Sequence, residues 1–329
     1  MEVWTGLEEV PADPGRHAVA VGTFDGVHRG HRVVIGAALE ARVPDNGGRG
    51  VRAAVLTFDP HPLVVLRPDV APPAISTLER RLAILDRLGV DAVLVVRFTP
   101  ELSAQSPEAF VVDHLVGGLR AAAVAVGSDF RFGRQASGDV SLLRRLGLDH
   151  GFAVHEVPLV GIGEPVSSTR VRAAIASGDV ASARDLLARA HCVEGEVVVG
   201  DRRGRELGYP TANLAVPEHI AVPPDGVYAG WLVRASGTRL PAAISVGTNP
   251  TFGPHSRRVE AYVLDRDDLE LYGERVCVEF GWFLRGQVVF PGIEPLLVQM
   301  AADVDRTRDL VSGELAPDDP GDPVDRAEG

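Results

Sequence analysis

Lysine is absent from this chain: all 33 basic residues are arginine. Its absence rules out a phosphate loop of the G-x-x-x-x-G-K-[ST] form, a Schiff-base enzyme and a pyridoxal phosphate anchor. Anion handling therefore falls to Arg, His, hydroxyls and backbone amides. Cysteine is scarce. Cys192 and Cys277 lie in distant segments with no CxxC spacing, so neither a disulfide framework nor a zinc site is signalled. A reducing cytoplasm is the expected compartment. No apolar run approaches the length of a membrane span, and the acidic start MEVWTGLEEV lacks a signal core, so no membrane segment is expected. Basic residues are outnumbered 33 to 45, and the net charge of −12 argues against a general nucleic-acid or anionic-membrane binder. A local basic cleft for one nucleotide is compatible with that balance.

What is present is ample for a sizeable core. At 329 residues and 45% hydrophobic content, two domains are expected. Five nearly continuous apolar runs, at 17–22, 51–58, 91–98, 121–127 and 152–157, read as strands of a parallel sheet covered on both faces. Helical patterns alternate with them. STLERRLAILDRLG opens on a capping box, Ser76 to Glu79, and stops at Gly89. SPEAF places Ser106 as N-cap ahead of Pro107, and Asp179 caps a helix running to about Ala190. This is the grammar of an α/β, Rossmann-like, doubly wound fold.

After His191 the pattern changes. Short alternating strands (VEGEVVVG, GVYAGWLV, LPAAISVG, RVEAYVLD and ERVCVEFGWFL) are parted by Gly, Pro, Asn and Asp turns, with no long helix until 293–312. All four Tyr and two of three Trp fall here. A small antiparallel β-barrel with a C-terminal helix is expected. The expected divisions are 1–190, 191–314 and an acidic, Pro-rich, disordered tail over 315–329. Nothing in the patterning fixes an oligomeric state.

The densest chemical signal is GTFDGVHRGH, Gly22 to His31, between a strand and a helix. Gly22 and Gly26 let the backbone approach a ligand, the helix start offers free N–H groups, and His28 and His31 share a helical face. Two imidazoles beside oriented amides suit a polyphosphate; the spacing alone suits a metal half-site or a surface pair equally well. In the second part, DRRGRELGYPTANL is expected as a long loop presenting Thr211 and Asn213 as hard oxygen ligands for Mg²⁺ alongside substrate phosphates. A structural Asx-type turn is the alternative.

The longer strings are more specific. GTFDGVHRGH resembles the H-x-G-H signature of nucleotidyltransferases in its bacterial FAD synthetase form, and TFDPHP (57–62), GSDFRFGRQASGD (127–139) and VSSTRVR (166–172) resemble later motifs of that family in order. GRELGYPTAN, PPDGVYAGW, AISVGTNPTFG, VEAYVLD and LYG resemble riboflavin kinase motifs. Together the chain resembles the prokaryotic bifunctional riboflavin kinase/FMN adenylyltransferases over roughly 15–312. An FMN adenylyltransferase domain followed by a riboflavin kinase domain is implied.

The resemblance implies that His28 and His31 act on the ATP phosphates while FMN phosphate attacks the α-phosphorus. It further implies ATP contacts from Gly22, Thr23, Phe24, Asp25, Ser168, Thr169 and Arg172, and flavin contacts from Phe58, Asp59, Asp129 and Arg285. Glu260 is the implied base toward the riboflavin 5′-hydroxyl, with Thr211 and Asn213 at Mg²⁺. The implied small-molecule partners are riboflavin, FMN and ATP as co-substrate. By residue type alone, Phe24, Phe58 and Phe130 suit wall packing ahead of flavin stacking, and Arg285 suits a surface ion pair equally well. Arg134 stands where the family often has Lys, with the charge kept.

Overall fold

The computed structural model describes residues 1–44, 50–161, 163–200, 208–248 and 257–313. Expectations placed on Gly204, on the TNPTFG segment beyond Thr248 and on the tail from Leu315 lie outside the described residues. Contacts divide the chain into two compact units: Met1–Pro72 with Leu78–Ser167, and Pro73–Thr77 with the chain from Ser168.

The first unit is built on a six-stranded, all-parallel sheet, ordered β1-β4-β3-β2-β5-β6. Its strands are β1 (Glu2–Trp4), β2 (Arg16–Val21), β3 (Val51–Asp59), β4 (Ala92–Arg97), β5 (Ala121–Gly127) and β6 (Ala153–Val157). Strand alternation sends successive side chains to opposite faces. Val19, Val21, Leu56, Leu94, Val124 and Val126 face one core layer, closed by Leu115 and by Leu143 of α6 (Val140–His150). Ala18, Ala20, Val55, Val93, Val95 and Ala125 face the other, closed by Ile35 of α1 (Arg29–Glu40) and Leu85 of α3 (Leu78–Arg87). Burial on both faces is why these strands read as continuous apolar runs. The chain winds outward from β2 through β3 to β4, then crosses to β5 on the other side. The carboxyl ends of β2 and β5 thus flank a topological switch point, where doubly wound sheets bind ligands.

Three short helices decorate that edge: α2 (Pro62–Leu66), α4 (Pro100–Ser103) and α5 (Pro107–Phe110). Ser106 caps α5 as expected, accepting from Ala109 N at 3.1 Å. The helix then continues into a π-helical stretch, Val111–Gly118, that residue spacing did not announce. Strand β1 is likewise unannounced by residue pattern; its three residues pair with β4 and bury Trp4.

The second unit carries α7 (Ser168–Ser177), α8 (Val180–Leu187, capped by Asp179) and a closed six-stranded barrel. The barrel strands are β7 (His191–Val198), β8 (Thr211–Ala215), β9 (Gly226–Val233), β10 (Arg239–Thr248), β11 (Arg257–Val263) and β12 (Arg275–Arg285), closing in the order β10-β11-β8-β7-β12-β9. Val193, Leu214, Tyr228, Ile244, Val259, Val278 and Phe280 fill the interior. The helix α9 (Ile293–Val311) packs on β9 and β10.

Two features depart from what the sequence leads one to expect. The segment TANLA, expected as part of a loop, is strand β8: Ala212 and Leu214 alternate into the barrel core, and burial of that face outweighs the turn chemistry around it. The two cysteines, for which no disulfide was signalled, are bonded to each other. They are 85 positions apart, and only barrel closure brings β7 against β12, where Cys277 pairs with Glu194 and Cys192 with Glu279. Local spacing carries no trace of such a pairing.

Candidate active sites

In the first unit the turn after β2 is tightly wound. Phe24, Gly26 and Val27 take φ of 48°, 79° and 41°, and Val27 N donates to Phe24 O at 3.0 Å. Positive φ suits glycine; at a β-branched residue it is strained, as turns at functional sites often are. The turn delivers His28 as the N-cap of α1, where its Nδ1 accepts from His31 N at 3.2 Å. One helical turn on, the His31 ring stacks on His28 with centroids 3.5 Å apart and 16° between planes. Phe24 meets His31 edge-on at 5.2 Å and is only 1% exposed. Expected at ATP, it is sealed beneath the histidine. Asp25, with 1% exposure, is likewise buried under the turn.

Beside this turn lies a cavity of about 810 Å³. Gly22, Thr23 and His31 line it, and Gly127 and Asp129 join them from the β5 end. The lining also holds five aromatic side chains, Phe58, Phe98, Phe110, Phe130 and Phe132. Phe58 contacts Phe98 at 5.9 Å and Phe110 at 6.2 Å, while Phe130 stacks on Phe132 at 5.3 Å. Arg131 and Arg134 bring positive charge to the lining, Arg131 in a 3.5 Å pair with Asp139. Asp59 follows Phe58 on β3. Burial pushes its carboxyl pKa up, and the charge of Arg81 opposes that rise.

Of this lining, Gly22, Thr23, His31, Phe58 and Asp129 are among the residues expected from sequence. Phe98, Phe110 and Phe132 are not, and they arrive from the connections after β4 and β5. Ser168, Thr169 and Arg172, expected at the ATP phosphates, belong to the second unit. Ser168 opens α7, Thr169 is exposed, and Arg172 Nε donates to Pro73 O at 2.8 Å.

In the second unit the strand conformation of β8 has a chemical result. Period-two alternation places Thr211 and Asn213 on one face, opposite the buried Ala212 and Leu214. The ladder sets Asn213 beside Glu260 and Thr211 beside Tyr262 of β11. Thr211 Oγ1 lies 3.4 Å from Glu260 Oε2 and 3.4 Å from Asn213 Nδ2. Gly200 backs the group: a Cβ there would fall 2.5 Å from the Asn213 amide atoms, so only glycine leaves Asn213 its place. A small pocket of about 70 Å³ adjoins, lined by Gly200, Thr211, Asn213, Arg266, Asp267 and Tyr272 among others. Arg285 is held elsewhere. Its Nη2 and Nε grip the Asp303 carboxylate of α9 at 2.7 and 3.0 Å, and Gln299 completes the cluster at 3.0 Å.

Among the described residues no group of three His, Cys, Asp or Glu side chains could hold a metal ion. The Thr211 hydroxyl and Asn213 amide oxygens still fit Mg²⁺, which takes one or two protein oxygens and completes its shell with water and phosphate.

Residues 10–170 match the FAD synthetase family and residues 187–311 the riboflavin kinase family. A bifunctional riboflavin kinase/FMN adenylyltransferase of Escherichia coli strain K12 is 35% identical over 305 residues, covering 92% of this chain and 96% of its own. One from Listeria monocytogenes is 37% identical over 310 residues, 93% of each chain. A solved Streptococcus pneumoniae structure, described as a macrolide-efflux protein, superposes with a TM-score of 0.81 at 28% identity, over 93% of this chain and 98% of its own.

Proposed function

The chain belongs to the bifunctional riboflavin kinase/FMN adenylyltransferase family, and from that premise we propose how its residues divide the two reactions. It phosphorylates riboflavin to FMN with ATP, then joins FMN to the adenylyl group of a second ATP, releasing pyrophosphate.

Adenylyl transfer takes place in the aromatic-walled cavity of the first unit. The isoalloxazine ring lies against Phe58 and its aromatic neighbours, and its phosphate is directed toward Thr23 and His31. That phosphate is already an anion at neutral pH, so the transfer needs positioning and charge stabilisation more than a base. The amides at the start of α1 and the paired imidazoles of His28 and His31 hold the ATP phosphates. The bond from the FMN oxygen to the α-phosphorus forms as the bond to pyrophosphate breaks. The observation that carries this reading is the stacked histidine pair at the switch point, with His31 on the rim of a cavity large enough for a flavin.

Riboflavin phosphorylation uses the outer face of β8 and β11. Glu260 takes the proton of the riboflavin 5′-hydroxyl as that hydroxyl oxygen attacks the γ-phosphorus of ATP and the bond from the γ-phosphorus to the departing ADP breaks. Thr211 and Asn213 hold Mg²⁺, which when bound neutralises phosphate charge. Arg285 anchors α9 through Asp303.

The test is a chromatographic time course with riboflavin, ATP and Mg²⁺, run on the wild type and two variants. The wild type should form FMN and then FAD. Glu260→Gln should form no FMN from riboflavin yet adenylylate supplied FMN. The His28→Ala/His31→Ala double variant should accumulate FMN. FAD synthesis persisting in the double variant, or FMN formation in Glu260→Gln at the wild-type rate, would sink the corresponding half.

A further inference from the structure

Helix α3 buries an arginine. Arg81 lies in line with Leu78 and Leu85 at i−3 and i+4, on the face that packs against the sheet, and is 3% exposed. A guanidinium so placed is costly unless its donors are used. Its Nη1 donates to Phe58 O at 3.0 Å and to Thr57 Oγ1 at 3.3 Å. Thr57 is fully buried, and its hydroxyl donates to Thr23 O at 2.9 Å. The carboxylates of Asp25 and Asp59 act on the same cation. One buried charge thus fastens the end of β3 directly and the turn after β2 through a single hydroxyl relay. Phe58 and Thr23, the two residues so joined, stand on the aromatic and phosphate sides of the cavity.

We propose that Arg81 is a positioning residue for adenylyl transfer, fixing the distance between the flavin wall at Phe58 and the phosphate turn at Thr23 through Thr57. It touches neither substrate. Its effect is on the geometry in which FMN phosphate meets the α-phosphorus, so the loss on removal falls on turnover ahead of ATP affinity. Lysine keeps the charge and carries donors on one nitrogen, as Nη1 does here, but lacks the rigid planar group that aims Nη1 at both acceptors. The inference rests on the placement of adenylyl transfer in this cavity.

The experiment measures kcat and KM for FMN adenylylation in Arg81→Met, Arg81→Lys, Thr57→Val and the Arg81→Met/Thr57→Val double variant. Riboflavin phosphorylation by the same preparations reports the other unit. Arg81→Met should lower adenylylation kcat about 30- to 100-fold with KM for ATP changed less than about threefold. Arg81→Lys should recover about tenfold, Thr57→Val alone should lose about tenfold, and the double variant should be no worse than Arg81→Met, as expected for one coupled path. The proposal fails if folded Arg81→Met keeps kcat within about threefold, if Thr57→Val is unchanged, or if the two losses multiply. It fails too if Arg81→Met loses both activities in parallel, which marks a merely structural role. Should Arg81→Met not fold, Thr57→Val and Arg81→Lys decide. His31→Ala is run alongside: adenylylation surviving there overturns the placement of the site, separately from Arg81.

Discussion

A pair of histidines three apart serves a metal, a phosphate or nothing, and surroundings decide which. Here the surroundings are a strained turn, a helix start and a flavin-sized cavity, with no third metal-binding side chain beside them among the described residues. At Asn213 the deciding neighbour is a glycine. Gly200→Ala places a methyl group about where the Asn213 amide lies, so Asn213 must turn away from Thr211. Riboflavin phosphorylation should fall about tenfold or more with adenylylation of supplied FMN unchanged, as expected when a ligand shifts by an ångström or so. Steady-state rates of the two half-reactions check it. His28, His31 and Glu260 were legible because their motifs are contiguous strings. Phe98, Phe110 and Phe132 were not, because they come from separate connections and meet only once the sheet has formed. Arg81 did leave a trace: a charged residue in line with Leu78 and Leu85 on a face that is otherwise apolar.

At the scale of elements, most strands and helices were legible from apolar periodicity, and the exceptions are instructive. The helix after Ser106 widens into a π-helical stretch that carries the buried His114, whose Nδ1 lies 3.2 Å from Phe110 O. On the neighbouring strand β2, the fully buried His17 sets Nδ1 2.8 Å from Leu119 O. Burial lowers both imidazole pKa values from the ordinary 6.5, against the opposing pull of those carbonyls. A group with a depressed folded-state pKa keeps the native state at full stability above its unfolded value. As pH falls below about 6.5, the unfolded chain binds the protons first, and stability drops by up to about 1.4 kcal/mol per pH unit for each imidazole. Urea unfolding of the first unit should therefore show a flat midpoint between pH 7 and 8 and a falling one from pH 6.5 to 5.5. His17→Gln should make that fall shallower. A midpoint independent of pH over this range would exclude both histidines as the cause. Strand β8 was missed for the opposite reason. Its polar residues are conspicuous as ligands, and they mask the alternation that makes it a strand.

Over the whole molecule, two units with separate cores and separate chemistry should behave as two enzymes on one chain. Neither the Glu260→Gln nor the His28→Ala/His31→Ala protein alone should convert riboflavin to FAD. Mixed in equal amounts they should, because FMN released by one is a substrate for the other. The chromatographic time course of the mixture checks this, and FMN should appear first. Failure of the mixture with both half-reactions intact would mean that FMN must be made and used within one molecule. The change of composition near residue 190 announces two parts, since helix-alternating apolar runs and turn-punctuated short strands need different packing; the contact-defined units divide earlier, at Ser168, with α7 and α8 in the second. The disulfide was unreadable because closure of the barrel, not spacing, brings Cys192 to Cys277.

Barrel closure has one more consequence. A ring of six strands leaves every strand with two neighbours, whereas the open sheet of the first unit ends at β1 and β6. β1 is only three residues long, but β6 runs from Ala153 to Val157 with most of its side chains at least partly exposed. If concentrated or gently warmed solutions turn cloudy, the seed of the aggregate is to be sought at the β6 rim, which pairs with no further strand among the described residues. A proline or an added charge along β6 is the natural place to begin making the protein more tractable in the test tube.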